Sequence, residues 1–378
     1  MKMSKFIMAV LAVFVLVGCS VGSPTVTNTP AQVAATATGT PLSVPTTRVF
    51  PTFTPKPTPV PRTLSEADMY TFEQARKIGR GVNLGNALEA PKEGEWGVVL
   101  EERFFDLIRD AGFNSVRVPI RWSNHALAEA PYTIDEAFFE RVDWVVENAL
   151  ERDLVVIINM HHYEEIFKEP EKHKERYLAL WAQIAERYQG QPEGLYFEPL
   201  NEPNGQLNFY WNTYLAEVLA VIRGTNPQRT VVLGPTDWNS LFTLASLRLP
   251  EEDRNIIVTF HYYLPFEFTH QGAEWAEGSD AWLGKKWPES NKAGDMIRAN
   301  FRAVDDWSKV NGRPIFLGEF GAYRKADMES RALWTAHVAR TAEEFEFGWA
   351  YWEFCSGFGV YDLTRNDWNE DLLTALLP

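Results

Sequence analysis

Short apolar runs alternate along the chain with longer stretches in which apolar positions recur every three or four residues. The runs are strand-length and fall at 81–84, 115–120, 154–160, 194–200, 230–234, 255–260, 314–318 and 348–352. The periodic stretches, charged on one face, predict helices at 98–111, 136–152, 171–188, 209–225, 291–311 and 326–345, with a further helix at 71–77 before the first strand. The stretch at 238–249 is short and weakly patterned. Eight strands with helices between them over about 300 residues predict an α/β fold, a (β/α)8 TIM barrel. A doubly wound open sheet fits less well, because a Gly-rich phosphate loop should follow its first strand. The glycines of Gly79-Arg-Gly-Val-Asn-Leu-Gly85 bracket that strand instead.

Polar residues collect where these runs end. The fourth run stops in Asn201-Glu202-Pro203, and the seventh leads into Glu319. Two carboxylates at two strand ends of one barrel suit glycoside hydrolysis, which needs a proton donor and a nucleophile or base. Pro203 is expected to hold Glu202 in an extended backbone. Asn86 and Glu89 follow the first strand. Arg117 interrupts the second, and His161-His162 end the third. His261 and Tyr263 end the sixth strand, and Trp352-Glu353 the eighth. Catalytic residues of such barrels come from several strand ends at one face. Adjacent His161 and His162 are not expected to share a metal ion, since neighbours on a strand point to opposite faces. No metal and no cofactor is expected. Glu198, inside the fourth strand, reads as a satisfied structural carboxylate, and Glu353 as turned into the barrel wall. Pro199 predicts a bulge or strand end, because proline removes a ladder donor.

Composition narrows the ligand. The chain has 378 residues, 14 of them Trp. Flat aromatic faces suit sugar rings, and Trp122, Trp211, Trp238, Trp282 and Trp287 are candidates either for that or for simple packing. From Glu66 onward there are 31 basic against 51 acidic residues. That acidic excess disfavours nucleic acid or another polyanion as the substrate, so none is expected, and it is compatible with a neutral polymer.

The first 63 residues read differently. Lys2 and Lys5 precede an apolar stretch from Phe6 to Val17, the pattern of an export signal. Leu16-Val17-Gly18-Cys19 resembles the bacterial lipoprotein box, which implies lipidation at Cys19. Residues 20–63, rich in Thr, Pro and Ser, cannot bury enough apolar surface to offset their ordering entropy and predict a disordered linker. The expected organisation is a lipoprotein signal over 1–19, a linker over 20–63 and a catalytic domain over 64–378. The protein is expected to be exported and lipid-anchored at the cell surface, or released, touching a membrane only through that lipid. Cys355 then has no partner and reads as a buried thiol.

Several longer strings are similar to glycoside hydrolase family 5, in the clan of retaining barrel hydrolases. They are Gly85-Asn-Ala-Leu-Glu-Ala-Pro91, His161-His-Tyr-Glu-Glu165, Phe268-Thr-His-Gln-Gly-Ala-Glu-Trp275, Phe316-Leu-Gly-Glu-Phe-Gly-Ala-Tyr323 and Tyr351-Trp-Glu-Phe-Cys355. The resemblance covers about 78–377 and is strongest to hyperthermophilic bacterial endoglucanases that also act on mannans. It implies Glu202 as acid/base and Glu319 as nucleophile, supported by Arg117, His161, Asn201, His261, Tyr263 and Trp352. Arg117 and Tyr263 could donate to Glu319 and keep it anionic. Asn201 would bond a sugar 2-hydroxyl, and Trp352 would floor the cleavage point. Asn86, Glu89, His162, His270 and Trp275 are further candidates for shaping the cleft. The implied activity is a retaining endo-β-1,4-glucanase acting on a β-1,4-linked polysaccharide or oligosaccharide, as a monomeric catalytic domain. The alternatives are an endo-β-1,4-mannanase, an enzyme with both activities, and a non-catalytic carbohydrate-binding barrel.

Overall fold

A computed structural model describes residues 60–288, 290 and 292–378. The expected signal, Cys19 and nearly all of the expected linker lie outside these residues. No helix among the described residues is long and apolar enough to cross a membrane.

Eight parallel strands close into a barrel in sequential order. They are β1 (Arg80–Asn83), β2 (Ser115–Val118), β3 (Val155–Asn159), β4 (Leu195–Glu198), β5 (Val231–Leu233), β6 (Ile256–Tyr262), β7 (Ile315–Phe320) and β8 (Gly348–Tyr351). Helix α1 (Glu66–Ile78) precedes them. Helices α2 (Glu102–Ala111), α3 (Glu136–Leu150), α4 (Pro170–Arg187), α5 (Trp211–Thr225), α6 (Ala293–Asn311) and α7 (Met328–Glu344) cross between strands. Helix α8 (Glu370–Leu376) follows β8. After β5 the weakly patterned stretch forms only a turn at Thr236–Asn239 and a 3-10 segment at Leu241–Ser246.

Alternation along the strands sorts the core into two layers. Val116, Val118, Val156, Ile158, Leu195 and Phe197 face outward, in one apolar body with the surrounding helices. Ile157, Tyr196, Val232, Ile257, Phe316 and Ala350 face inward and pack with Ala75 and Ile78 of α1. Helix α1 therefore closes the lower end of the barrel. It starts with a capping box between Ser65 and Asp68, which satisfies its first orphan N–H groups. Tyr196 donates its hydroxyl to the Gln74 carbonyl at 3.0 Å, so the phenol has a partner inside the barrel.

One step up the same inward rows the side chains turn polar: Asn83, Arg117, Asn159 and Glu198, all buried. The candidate site stands on that polar layer. β4 ends at Glu198, so Pro199 falls at the strand end and removes no ladder bond. β6 and β7 run further than their apolar patterns predict, and His261 and Glu319 lie inside the strands.

Candidate active site

Arg117 is the hub of the site. Its guanidinium is fully buried, and all five of its N–H groups have acceptors. Nε and Nη2 form a two-pronged pair with Glu198 at 2.6 and 2.7 Å. Nη1 donates to Asn83 Oδ1 and to Glu319 Oε1, both at 2.8 Å. Nη2 also donates to Asn201 Oδ1 at 2.7 Å. The arginine thus ties β1, β2, β4 and β7 together directly beneath the strand ends. Glu198 serves as the satisfied structural carboxylate that its position inside β4 predicts.

Glu319 reaches this hub through an irregularity in the sheet. Pairing between β6 and β7 shifts register between Phe260 and His261, so that His261 lies opposite Glu319. Such shifts re-aim side chains at barrel rims. The neighbouring Gly318 makes the arrangement possible, because a Cβ there would lie 2.9 Å from His261 Nε2 and 2.6 Å from Thr259 Oγ1. Tyr263 donates its hydroxyl to Glu319 Oε2 at 2.9 Å. The two carboxylate oxygens of Glu319 therefore each accept a bond, one from a cation and one from a phenol.

Glu202 sits differently. Its backbone is left-handed, with φ of 48°, rather than extended. Proline disfavours the right-handed helical region in the residue before it. The surrounding loop holds Glu202 in the left-handed well instead. Asn204 donates to the Glu202 carbonyl at 2.8 Å, and Trp238 N–H to the Pro203 carbonyl at 3.3 Å. The carboxylate meets His261 Nδ1 at 2.7 Å through Oε1, and no arginine touches it. Oxygens of Glu202 and Glu319 and a ring nitrogen of His261 lie within 4.8 Å of one another.

Burial acts on both carboxyls of the pair and on two imidazoles beside them. It pushes the Glu202 carboxyl up to about 7, against the pull of the Arg117 charge. Burial raises Glu319 too, opposed by His261, Arg117 and the Tyr263 bond. Of the two, Glu319 holds the better anion stabilisers and gives up its proton first. Burial pulls His261 down to about 4 and His161 well below its usual range, so both imidazoles are neutral near pH 7.

The remaining predicted residues gather around this centre to different degrees. His161 stacks on the Trp352 indole with ring centres 5.4 Å apart and planes 7° from parallel. Asn159 Nδ2 lies 3.1 Å from His161 Nδ1. His162 is half-buried, edge-on to His161 at 4.7 Å and to Trp96 at 5.8 Å. The two rings touch instead of pointing to opposite faces, because both residues lie beyond the end of β3, where strand alternation no longer applies. Glu89 is buried and accepts N–H bonds from Asn86 and Ala87 of its own turn. His270 is buried between Phe266, Tyr263 and Phe358, one ring away from the Tyr263–Glu319 bond. Trp275 stands edge-on to Tyr323 and is 48% exposed, which leaves a face free at the rim. Among the other tryptophans, Trp122 and Trp211 are core, their indole N–H groups bonded to the Asn159 and Gly234 carbonyls. Trp287 is buried as well, whereas Trp238 is 45% exposed beside the Glu202 loop. Glu353 is fully buried and accepts N–H bonds from Ser356 and Phe358, so it shapes its own loop.

Three residues of the network escape the sequence reading. Asn83 and Asn159 interrupt apolar strands just as Arg117 does, so the same signal could have found them. Asn239 lies in the weakly patterned stretch after β5, and nothing local singles it out.

Glu202, His261 and Glu319 form the one cluster of metal-type donors among the described residues. Their donor atoms are already engaged with one another, with Arg117 and with Tyr263. A cation would have to displace those bonds and sit near the arginine.

A family model described as Cellulase (glycosyl hydrolase family 5) matches residues 78–357. Endoglucanase H of Acetivibrio thermocellus is 39% identical over 326 residues, covering 84% of this chain and 35% of that protein. The chain thus spans about a third of the length of that relative. Cel5A of Thermotoga maritima, solved with a mannotriose substrate, superposes with a TM-score of 0.80 at 55% identity. That match covers 81% of this chain and 99% of the other. The same Thermotoga enzyme solved with cellobiose gives a TM-score of 0.80 at 56% identity over 81% and 99%.

Proposed function

The chain belongs to glycosyl hydrolase family 5, and on that premise we propose that it is a retaining endo-β-1,4-glucanase. The observation that carries this reading is the pair Glu202 and Glu319 with oxygens within 4.8 Å of each other. Retaining enzymes hold their carboxyls about 5–5.5 Å apart, and inverting enzymes leave about 6.5–9.5 Å for a water. Glu319, bonded to Arg117 and Tyr263, attacks the anomeric carbon as an anion. Glu202 holds its proton up to about pH 7 and delivers it to the leaving oxygen. The glycosyl–Glu319 ester then forms, and Glu202, now ionised, takes a proton from the incoming water. Asn201, oriented by Arg117, bonds the sugar 2-hydroxyl as the oxocarbenium develops. The Trp352 face, backed by His161, floors the sugar at that point.

A second reading is mannan hydrolysis by the same residues. The Thermotoga relative was solved with both mannotriose and cellobiose, which supports a cleft tolerant at C2. We further propose export and lipid anchoring through Cys19, supported by Lys2, Lys5 and the apolar run before that cysteine. Cys19→Ser would then move the protein from the detergent phase to the aqueous phase in a phase-partition experiment. Unchanged partitioning would remove the anchor.

Initial rates of reducing-end release from purified β-glucan and mannan test the activity. Glucan release that disappears in Glu319→Ala supports the proposal. Release confined to mannan transfers the substrate to the second reading, and binding without release from either polymer leaves a carbohydrate-binding barrel.

A further inference from the structure

Asn239 is fully buried and sits behind His261, on the side away from Glu202. Its Nδ2 lies 3.2 Å from His261 Nε2, while His261 Nδ1 lies 2.7 Å from Glu202 Oε1. We propose that Asn239 is a positioning residue that sets the tautomer of His261, so that the imidazole donates to the acid/base Glu202. An amide N–H donating to Nε2 requires a lone pair there, and the single ring proton of the neutral imidazole must then sit on Nδ1. That N–H donates to Oε1 of Glu202 whether the carboxyl is protonated or ionised. The transferable proton is thereby confined to Oε2, the oxygen left for the leaving group and later for water.

Three features show that the backbone is built to hold Asn239 there. Asp237, Trp238 and Asn239 are consecutive left-handed residues, with φ of 54°, 59° and 54°. Such conformations persist only where the surroundings over-determine them. Trp238 N–H ties this turn to the Pro203 carbonyl, next to Glu202. Ser240 bridges to His261 in parallel register. One short segment therefore fixes the acid/base loop, the imidazole and the amide together. Gly234 supplies the space, since a Cβ there would fall 2.0 Å from Asn239 Oδ1. Asn239 Oδ1 has no partner, and turning the amide over would place an NH2 with two donors in that same dry position.

The groups that face His261 are Glu202, Glu319 at 3.6 Å, Arg117 and Glu198, with His161 across the mouth. The two carboxylates nearest to it favour an imidazolium. A third one in place of Asn239 would tip the balance. Asn239→Asp is nearly isosteric, accepts from Nε2–H and turns His261 into a cation facing Glu202. Glu202 then loses its proton at lower pH.

The proposal rests on Glu202 being the acid/base, and its test has a readout that does not depend on hydrolysis. The 15N signature of the His261 imidazole near pH 7, assigned against His261→Gln, should report an Nδ1–H tautomer in the wild type. In Asn239→Asp it should report protons on both nitrogens. In parallel, the alkaline limb of kcat/KM on glucan should move down by one pH unit or more, about a tenfold loss at a fixed pH on that limb. Asn239→Gly, which suits the left-handed backbone, should lower kcat on the polymer with KM unchanged. It should lose much less on an aryl glycoside whose leaving group needs no proton. An Nε2–H tautomer in the wild type would overturn the proposal. So would an imidazole signature indifferent to Asn239→Asp, or a loss of rate equal at every pH and on both substrates. A wild type inactive on glycans but carrying the Nδ1–H signature would keep the tautomer assignment and sink the acid/base reading instead.

Discussion

Glu202 and Glu319 are chemically the same residue, and their neighbours make them different. Glu319 accepts from a guanidinium and a phenol, whereas Glu202 accepts from one neutral imidazole. The acid must be protonated and the nucleophile ionised at the same pH, so kcat/KM should follow a bell. With Glu202 raised to about 7 by burial, the form that donates is lost as pH climbs through 7. Rates on glucan between pH 4 and 9 should show the descending limb near there, and a limb two units higher would contradict that role. Glu202→Gln should cost about 10²–10⁴ in turnover on polymer. On a substrate with an activated leaving group the glycosylation step should suffer far less. Much of this pair was legible in the sequence, because a carboxylate at the end of an apolar run stands out. The left-handed backbone of Glu202 was not legible, since it depends on Asn204 and Trp238, whose placement follows from the tertiary fold.

At the scale of strands, Arg117 does for the sheet what it does for the nucleophile. It links β2 to Glu198 of β4, Glu319 of β7 and Asn83 of β1, with no water-exposed surface of its own. Arg117→Met would leave two buried carboxylates without their cation and should destabilise the fold by about 3–5 kcal/mol. Arg117→Met combined with Glu198→Leu should recover much of that stability, because one of the uncompensated charges is gone, yet remain inactive. Urea midpoints and glucan rates on both variants separate the two effects. Equal stability of the single variant and the wild type would contradict the hub. The barrel strands themselves were readable as apolar runs, each placed to within two or three residues. Their ends were not, because β6 and β7 continue through polar His261 and Glu319 once the register shifts. A shift of pairing leaves no mark in a hydrophobic pattern. The weak stretch after β5 hid Asn239 for a related reason: three left-handed residues follow no period.

Over the whole molecule, one barrel end is closed by α1 and the other carries a dense set of buried carboxyls. Glu353 is raised to about 8 and Glu89 to about 7, burial being the main cause for each. The folded chain keeps these protons at pH values where the unfolded chain has released them. Their contribution to stability is therefore full below about pH 4.5 and lost as pH rises through 7 to 8. Melting temperatures should fall between pH 5 and 9, and Glu353→Gln should flatten the fall. At pH 8 that variant should gain on the order of 1–3 kcal/mol, a few degrees in Tm. An equal change in Tm at pH 5 and pH 8 would show that the Glu353 charge is not the cause.

Retaining hydrolysis by this pair requires that Glu319 become covalently attached to the sugar while Glu202 handles the proton. Intact-protein and peptide mass spectrometry after reaction with a 2-deoxy-2-fluoro β-cellobioside bearing a good leaving group reads this directly. One added fluorocellobiosyl unit is expected, carried by the peptide that contains Glu319 and absent from Glu319→Ala. A label on Glu202, or turnover to the inverted anomer with no label, would contradict it.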